Sequence, residues 1–534
     1  MRRAALAARL VALAHLVFLL PETDAKEVRP YLVVGSPAAL EVAAPLLEHR
    51  RRTGRTVETL VWSGSSRDEP MAAAALRLRS AIRARSVQGP APEILLLGDV
   101  AGTDASDEWM LPVFLVPASL VGGYDHPLIA SDGPYGFIDP DALPDAPVGR
   151  LPARSARELA RLVEKILAYE RGLHSKPRAS RQLAFMAAEG RFGRLADGLL
   201  ETVFRRLVAD QIPDRFDVVV TQTSRYSAYA LPPERLTEHI LRLLGPDGPA
   251  ILTYVGHGAR GTLDKVEVAG RLRPLLSEKD VLRLTGDAPG PPFFALACSV
   301  GQFDEEKGRD SLAERLLEAP GGPVAVVASS RVSRPYGNAL LGKEWIDALL
   351  RPAAGTVPTL GEALLRARQR LLGEPDALRR SFDLLASLFV RDHERIAERT
   401  DHSFLYNLLG DPGLPLPFTI ADLVPTVQAL DGRLRIRGEA PVQEGECLVS
   451  VEVPRSQFLH APRGGEGPAD ESTHAQANRK AIREARVVIM GGRWEADLPD
   501  PCRRPLLLKA LAILGDRAVA FGATRLDLPP AGSR

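Results

Sequence analysis

Short apolar runs without polar alternation recur along the chain, separated by stretches with helical periodicity. The runs YLVVG (31–35) and LAFMAA (183–188) are typical of strands covered on both faces. In SARELARLVEKILAYE (155–170) the leucine, valine and isoleucine residues form one stripe, and Ser155 with Glu158 makes a capping-box pattern. This alternation of strands and helices predicts a largely parallel α/β sheet.

The α/β pattern is interrupted once and ends well before the last residue. HSKPRAS (174–180) is a polar joint after which the alternation restarts, so the region holds either two sheets or one split sheet. Beyond Val424, short strand-like runs and turn signals replace most helices, which predicts a small β-sandwich. We therefore expect α/β units at 26–175 and 176–422 and a β-sandwich domain at 423–534.

Helical patterns also follow the later strands of the second α/β unit. They predict helices near 196–210, 233–244, 337–350, 359–372 and 378–398.

Composition excludes several classes of protein. With 534 residues, of which 45% are hydrophobic and 25% charged, the chain is large enough for two to four globular domains. A formal net charge of +1 gives no indication of nucleic-acid binding. Three cysteines are too few for a disulfide scaffold: Cys447 and Cys502 form at most one bridge or both stay free, and Cys298 is left unpaired.

The first residues have the pattern of a secretory signal. Arg2 and Arg3 precede the apolar stretch LVALAHLVFLL (10–20), and a tolerable cleavage site ends near Ala25. An apolar stretch of eleven residues is too short to span a bilayer, and no later segment approaches a transmembrane length. We therefore expect a signal peptide at 1–25, no membrane span, and a secreted or cell-envelope-associated protein.

Two buried-type strands end on residues with catalytic chemistry. His257 ends AILTYVGHG (250–258), and Cys298, 41 residues later, ends PPFFALACS (291–299). That separation leaves room for one crossover between parallel neighbours, which would place both side chains at the carboxyl edge of the sheet. A thiol beside an imidazole there predicts the nucleophile and base of a cysteine hydrolase. The alternative is a core cysteine and an ordinary turn.

Two glycine-rich segments imitate nucleotide-binding motifs without the accompanying chemistry. GHGARG (256–261) follows a strand, but no second strand ends on an acidic residue about 20 positions later, as ribose binding requires. In GNALLGKE (337–344), Glu344 stands where a serine or threonine must bind magnesium. Neither segment therefore predicts a nucleotide site.

Several motifs together resemble the gingipain family of cysteine peptidases, which belongs to the same broad group as the caspases. The resemblance covers about residues 29–420 and follows the order of the family. The motifs are DGPYGFIDPDALPDAPVGRLPARSARELARLVEKILAYER (132–171), TYVGHG around His257, ALACSVGQFD (295–304), AERLLEAPGGPVAVVASS (313–330) and YNLLGDP (406–412).

The resemblance implies two caspase-like α/β subdomains, the second one catalytic, followed by an immunoglobulin-like β-sandwich. By position it makes His257 the base and Cys298 the nucleophile, with Glu189 as the acid that orients the histidine. A third group of this kind fixes the tautomer and ring direction of a base. The backbone N–H groups of Gly258 and Cys298 would form the oxyanion hole.

Two further residues are candidates for substrate binding. In arginine-specific members of the family an aspartate lies at the floor of the primary pocket, and Asp197 falls in the corresponding region. A carboxylate there would pair bidentately with a guanidinium, although an aspartate near a helix start is also an ordinary capping residue. Tyr336 is the candidate for an aromatic residue that lines the pocket, with a surface turn as the alternative.

The functional expectation is a secreted cysteine endopeptidase that hydrolyses polypeptide substrates, with cleavage after basic residues as the expected preference. Its mechanism requires no cofactor. Calcium is common in the family, but the sequence indicates no ligands for it and predicts no metal site. The alternatives are a sortase-like transpeptidase on the same scaffold and a non-catalytic secreted binding or adhesion protein. The joint presence of His257, Cys298 and Glu189 favours an enzyme.

Overall fold

The computed structural model describes residues 29–527, apart from 65–68, 87–88, 101–106, 121–125, 142, 191–210, 225–226, 306–308, 352–358, 389, 419, 456–469 and 503. The predicted signal peptide and the helix predicted near 196–210 lie outside the described residues.

The strands of the α/β part are β1 (Tyr31–Gly35), β2 (Val57–Val61), β3 (Glu93–Leu97), β4 (Phe114–Pro117), β5 (Leu128–Ser131), β6 (Val148–Leu151), β7 (Gln182–Ala187), β8 (Asp217–Gln222), β9 (Ile251–Val255), β10 (Gly258–Ala259), β11 (Thr262–Leu263), β12 (Lys265–Val268), β13 (Arg271–Pro274), β14 (Phe293–Leu296), β15 (Val326–Ser329) and β16 (Tyr406–Leu409).

Its helices are α1 (Pro37–Val42), α2 (Ala44–Arg52), α3 (Met71–Arg85), α4 (Ala156–Arg171), α5 (Pro233–Leu244), α6 (Glu278–Val281), α7 (Leu312–Glu318), α8 (Pro335–Leu350), α9 (Leu360–Leu372), α10 (Ala377–Ala386) and α11 (Asp392–Leu405). None of the helices in the described part of the chain is long and apolar enough to cross a membrane.

Ten of these strands form one continuous sheet in the order β2-β1-β3-β6-β16-β15-β14-β9-β7-β8. The strands from β2 to β16 run parallel to one another, and so do those from β15 to β8. The pairing of β15 with β16 is antiparallel, so the two halves run in opposite directions. The two predicted α/β units therefore share one sheet, and β16 of the second unit runs parallel to the strands of the first.

Buried faces on both sides of the sheet explain the unbroken apolar runs. In β1, Tyr31 and Val33 belong to the main hydrophobic core, whereas Leu32 and Val34 join a second cluster with Leu78 of α3. Successive side chains of a strand point to opposite faces, so covering both faces removes the polar alternation. The prediction of buried parallel strands is confirmed.

Close backbone contact joins the two halves of the sheet. Leu409 of β16 pairs with Arg150 of β6, and a Cβ atom on Gly149 would overlap the carbonyl oxygen of Gly410. Gly410 itself has a φ of 146°, a backbone conformation that residues other than glycine rarely adopt. The motif YNLLGDP thus lies at the junction, where the absence of a side chain permits the strands to approach.

A buried network of charged groups fixes the same junction. Asp411 is fully buried and accepts hydrogen bonds from the Tyr31 hydroxyl (2.8 Å) and from Arg50 (2.5 Å). Arg50 also donates to Glu170 of α4 (2.6 Å). Each buried charge is therefore paired, which links the closing segment of the α/β part to its first strand and helices.

One predicted helix is wrong in extent. The stretch 378–398 forms two helices, α10 and α11, instead of one. The Glu394 carboxylate accepts a hydrogen bond from the Arg391 amide (3.0 Å), as in a capping box. This cap satisfies a free backbone donor and begins a new helix in the middle of an otherwise periodic pattern.

The C-terminal domain contains β17 (Ala421–Asp422), β18 (Thr426–Leu430), β19 (Arg433–Glu439), β20 (Glu444–Glu452), α12 (Glu471–Asn478), β21 (Ala481–Met490), β22 (Arg493–Pro499), β23 (Leu506–Leu514) and β24 (Arg517–Leu526). Its strands follow the order β17-β24-β23-β20-β21-β22-β19-β18.

This eight-stranded sheet curls over its own core. β21 and β22 pair only at Met490 and Arg493, beside the turn that joins them. Val449 of β20 and Trp494 of β22 belong to one hydrophobic cluster, so the two halves of the sheet face each other across it. The prediction of a β-sandwich is confirmed. Cys447 lies in this core, and both it and Cys502 are free thiols.

The outer face of the sandwich packs on the α/β part. Leu448, Leu511 and Phe521 alternate with residues of the sandwich core and belong to the main α/β core instead. The ring of Phe521 lies 5.5 Å from that of Phe216, edge to face. Strands β20, β23 and β24 are thus buried on both faces, which accounts for the continuous apolar run in β23.

Helix α12 covers the free edge of the ten-stranded sheet. The side-chain amide of Asn478 accepts a hydrogen bond from the Val220 amide (2.8 Å) and donates to the Val220 carbonyl (2.9 Å). The Lys480 ammonium donates to the Val218 carbonyl (2.6 Å). These side chains replace a neighbouring strand along β8, which protects an edge that could otherwise pair with another chain.

Two histidines meet in the same interface. Arg242 donates to His239 Nδ1 (3.1 Å), so His239 Nε2 donates to the Thr221 hydroxyl (2.9 Å), which in turn donates to His474 Nε2 (3.1 Å). The side-chain amide of Asn478 is also 3.3 Å from His474 Nε2. Burial, then His474 and Arg242, lower the pKa of His239 to about 4, and burial lowers the pKa of His474. The network therefore fits two neutral rings.

We predict that mild acid loosens this interface. As pH falls from about 6.5 to about 4, the unfolded chain binds protons on His239 and His474 that the folded chain does not bind. Stability is therefore lost over that window, by about 3 kcal/mol at most for His239. The thermal midpoint of the wild type should fall more between pH 7 and pH 5 than that of His239→Gln/His474→Gln.

The control is His393→Gln, on the exposed surface of α11, which should keep the pH dependence of the wild type. Equal losses of thermal stability in the wild type and the double variant would contradict the prediction.

Candidate active site

The predicted nucleophile and base lie at matched ends of neighbouring strands. β9 and β14 are parallel neighbours, and Val255 is in register with Leu296. His257 and Cys298 each follow two residues later, so they lie at the same level of the carboxyl edge. Adjacent strands are about 4.8 Å apart, which places the two residues side by side.

Glu189 lies at the same edge, on the other side of His257. β7 pairs with β9, and Ala187 is in register with Val255, so Glu189 is again two residues beyond the matched position. Its side chain is exposed, and its amide donates to the Thr223 hydroxyl (2.9 Å). The structure thus brings all three sequence-predicted residues to one stretch of edge.

A backbone carbonyl orients the imidazole. His257 Nε2 lies 2.7 Å from the carbonyl oxygen of Gly190, so the neutral ring carries its proton on Nε2, and Nδ1 is left as the acceptor. The His257 carbonyl accepts a hydrogen bond from the Tyr254 hydroxyl (2.9 Å). Sequence reasoning assigned the orienting role to the Glu189 side chain, whereas the contact seen at the ring is with the Gly190 carbonyl.

A strained turn presents the thiol. Cys298 is partly buried, and Ser299 after it has a φ of 54°, a left-handed conformation that is unusual for a residue with a side chain. The Ser299 amide donates to the Arg331 carbonyl (2.9 Å), and the Gly301 amide donates to the Ser329 carbonyl (2.9 Å). The end of β15 and the segment after it therefore hold the turn that carries Cys298.

Gly258 lies against this turn. The Asp264 amide donates to the His257 carbonyl (3.1 Å), which makes those two residues the hydrogen-bonded pair of the hairpin. Gly258 and Leu263 are then the non-bonded pair, so the Gly258 amide points away from the hairpin. A Cβ atom on Gly258 would lie 2.9 Å from the carbonyl oxygen of Cys298, so only glycine permits this approach.

The glycine-rich segment around His257 continues as a hairpin of β10 and β11, without a helix. This agrees with the interpretation that it is not a dinucleotide-binding turn, since such a turn opens directly into a helix. The second imitation, 337–344, lies within α8.

Of the two residues predicted to bind substrate, Tyr336 belongs to the described part of the chain. Tyr336 is in the first turn of α8 and is largely buried; its hydroxyl donates to Asp383 (2.6 Å) and accepts from Arg399 (3.0 Å). Burial and the Asp383 carboxylate raise the pKa of Tyr336 to about 12. The alternative of a surface turn is therefore wrong. Asp197 lies outside the described residues.

The carboxylate clusters in the described part of the chain offer no clear metal centre. Two groups of three there have ligand oxygens within 4.8 Å of one another: Asp139, Asp141 and Asp145, and Glu344, Asp347 and Asp376. In the second group the Lys343 ammonium already supplies a cation, 3.1 Å from Glu344 and 3.2 Å from Asp347. In the first group the carboxylates accept hydrogen bonds from nearby backbone amides. Neither cluster therefore assigns calcium ligands.

Sequence reasoning missed one residue that contacts the thiol. The Ser333 amide is 3.4 Å from Cys298 Sγ, and its hydroxyl is 3.8 Å away. Its position in the sequence could have indicated it. The segment ASSRVS (328–333) follows the strand next to β14 and leaves the sheet at the same edge.

The fold resembles solved peptidase structures. The crystal structure of the Arg-specific cysteine proteinase gingipain R (RgpB) is 14% identical, with a TM-score of 0.51, over 94% of this chain and 99% of that chain. A structure described only as a protease is 14% identical, with a TM-score of 0.50, over 94% and 97%. The complex of the pro- and mature domains of Porphyromonas gingivalis RgpB is 13% identical, with a TM-score of 0.48, over 93% and 99%.

The first two of these likenesses, at such low identity, show the fold alone. No curated protein sequence matches the chain. The sequence model of peptidase family C25, however, matches residues 24–417, which is well over half of the chain. The protein therefore belongs to peptidase family C25, the gingipain-type cysteine peptidases.

Proposed function

We propose that this peptidase is an endopeptidase in which Cys298 is the nucleophile and His257 the base. The observation that carries the proposal is the register of β9 and β14, which sets the two residues side by side at the carboxyl edge. The strained turn after Cys298 and the close approach of Gly258 support it, because both concentrate unusual backbone geometry around one thiol.

The chemistry follows from the hydrogen bond to Gly190. With its proton on Nε2, His257 takes the thiol proton at Nδ1, and the thiolate attacks the carbonyl carbon of the scissile bond. The amides of Gly258 and Cys298 donate to the oxygen that becomes negative. His257 then gives its Nδ1 proton to the leaving amine, which departs and leaves a thioester. Water, deprotonated by His257, hydrolyses the thioester and regenerates the thiol.

Glu189 stabilises the charged form of the base in this proposal. The Gly190 carbonyl directs the ring, and the neighbouring carboxylate favours the imidazolium that forms during acylation. Because Glu189 is exposed, solvent screens its charge, so its contribution is smaller than that of either reacting residue.

Cleavage after basic residues and export from the cytoplasm complete the proposal. Asp197 supplies the carboxylate that pairs with an arginine guanidinium, and the N-terminal 1–25 segment supplies the signal. The similar structure of gingipain R is that of an Arg-specific enzyme, and this likeness motivates the choice of arginine. The substrates are polypeptides outside the cell or at its envelope.

We predict that Cys298→Ala and His257→Ala each lower kcat/KM for a fluorogenic peptide by about 10³-fold or more, because the pair acts as a unit. Cys502→Ala, which removes the exposed thiol of the C-terminal domain, is the matched control and should keep full activity. A peptidyl acyloxymethyl ketone should label Cys298 in the wild type. Retained activity in Cys298→Ala would refute the assignment.

We predict that Glu189→Gln lowers kcat, with KM within about twofold of the wild type, because stabilising the base matters mainly in the transition state. The loss in kcat should be smaller than the factor of about 10² or more that a general base contributes. Glu234→Gln, an exposed carboxylate at the start of α5, serves as control. An unchanged kcat would show that Glu189 is a surface residue without a part in catalysis. A loss equal to that in His257→Ala would show that the Gly190 carbonyl alone is insufficient to orient the base.

We predict that peptides with arginine before the scissile bond are cleaved faster than matched peptides with lysine, alanine or aspartate. The planar guanidinium pairs bidentately with a carboxylate, whereas an ammonium does not. Asp197→Ala should remove the advantage of arginine while leaving cleavage of the alanine peptide unchanged. Equal cleavage rates for all four peptides, or an arginine preference that survives Asp197→Ala, would contradict the proposal that Asp197 forms an arginine pocket.

A further inference from the structure

A chain of polar side chains leads from the protein interior to the thiol. Cys298 Sγ lies 3.4 Å from the Ser333 amide nitrogen and 3.8 Å from the Ser333 hydroxyl, both within reach of a sulfur hydrogen bond. The side-chain amide of Asn338 donates to the Ser333 hydroxyl oxygen (2.9 Å), and the Tyr406 hydroxyl donates to the Asn338 oxygen (2.6 Å).

The direction of this chain determines its effect. Because Asn338 donates to the Ser333 oxygen, the Ser333 proton is available to donate onward to sulfur. Tyr406 is fully buried, and burial raises its pKa, so its hydroxyl keeps the proton that starts the series. Three donors in sequence therefore point towards Cys298 Sγ, and each polarises the next.

The surrounding elements hold the chain in place. His402 Nε2 accepts a hydrogen bond from the Arg334 amide (3.2 Å), and Glu398 accepts one from the Gly337 amide (2.8 Å). Antiparallel pairing of β15 with β16 places Tyr406 opposite Ser329, at the catalytic edge. The hydrogen-bonded series of side chains thus rests on two packed elements beside the turn that carries Cys298. This packing limits the movement of the series away from sulfur.

One contact acts in the opposite direction. The Ser333 carbonyl is also 3.4 Å from Cys298 Sγ, and it accepts the S–H proton while the thiol is neutral. After deprotonation that acceptor gains nothing, whereas the amide and the hydroxyl both donate to the negative sulfur. Hydrogen bonds to a charged group are about twice as strong as neutral ones, so the two donors outweigh the carbonyl.

We propose that Ser333, supported by Asn338 and Tyr406, is a positioning residue that stabilises the thiolate of Cys298 and aims it for attack. The proposal rests on the function proposed above, since it matters for catalysis only if Cys298 is the nucleophile. The thiolate is the reactive form of cysteine, so donors aimed at sulfur stabilise the form that attacks.

The test is the pH profile of Cys298 alkylation by iodoacetamide, which needs no peptide turnover. In Ser333→Ala and in Tyr406→Phe the midpoint of the profile should move to higher pH, and kcat should fall about tenfold with little change in KM, the size expected for one charge-assisted hydrogen bond. Ser333→Thr retains a hydroxyl and should restore most of the wild-type behaviour.

Asn338→Asp is the sharpest variant. A carboxylate at this position accepts the Ser333 proton instead of donating to its oxygen, so the hydroxyl turns away from sulfur and a negative charge is added nearby. The alkylation midpoint should therefore move further than in Ser333→Ala, although the side chain keeps nearly the same shape.

Ser330→Ala is the matched control, since Ser330 is buried in the same segment but donates to Ala130 (2.7 Å). It should leave the alkylation profile unchanged. Wild-type profiles in folded Ser333→Ala and Asn338→Asp, as judged by thermal unfolding, would overturn the inference and leave the proposed function intact. Full activity in Cys298→Ala would instead refute the proposed function, whatever the alkylation profiles show.

Discussion

The antiparallel contact between β15 and β16 determines the arrangement of the α/β part. It joins two sets of parallel strands that run in opposite directions, so their carboxyl ends lie at opposite edges of one sheet. Only the half from β15 to β8 directs its carboxyl ends to the edge that holds His257 and Cys298. The reversal also sets the first residue of β16, Tyr406, beside the end of β15.

Buried charges secure this junction at a cost in desolvation. Arg150 is completely buried, and it pairs bidentately with Asp132 at 2.6 and 2.7 Å, while the Asp132 amide donates to Asn407 of β16 (2.9 Å). Such pairs contribute little net stability compared with apolar packing. Their geometric demands are strict, however, and we infer that they select one alignment of the two halves.

Local patterns predicted the strands and the placement of His257 beside Cys298, because unbroken apolar runs indicate burial and both residues follow such runs. The sequence did not indicate that β16 runs antiparallel, since YNLL is equally compatible with either direction. The Gly190 carbonyl and Ser333 were missed for a related reason: backbone groups and long-range neighbours leave no residue-type signature. The single helix predicted at 378–398 was wrong because a cap at Arg391 restarts the helix within a periodic stretch.

The side chains that cover β8 have a consequence for how this protein varies among relatives. The ten-stranded sheet ends in the edge strand β8, which the C-terminal domain covers through Asn478 and Lys480, and the ring of Phe216 contacts that of Phe521. Neither part can therefore be exchanged for an unrelated domain without compensating changes in the other. The sandwich should be inherited together with the peptidase, and substitutions in β8 should co-vary with those in α12.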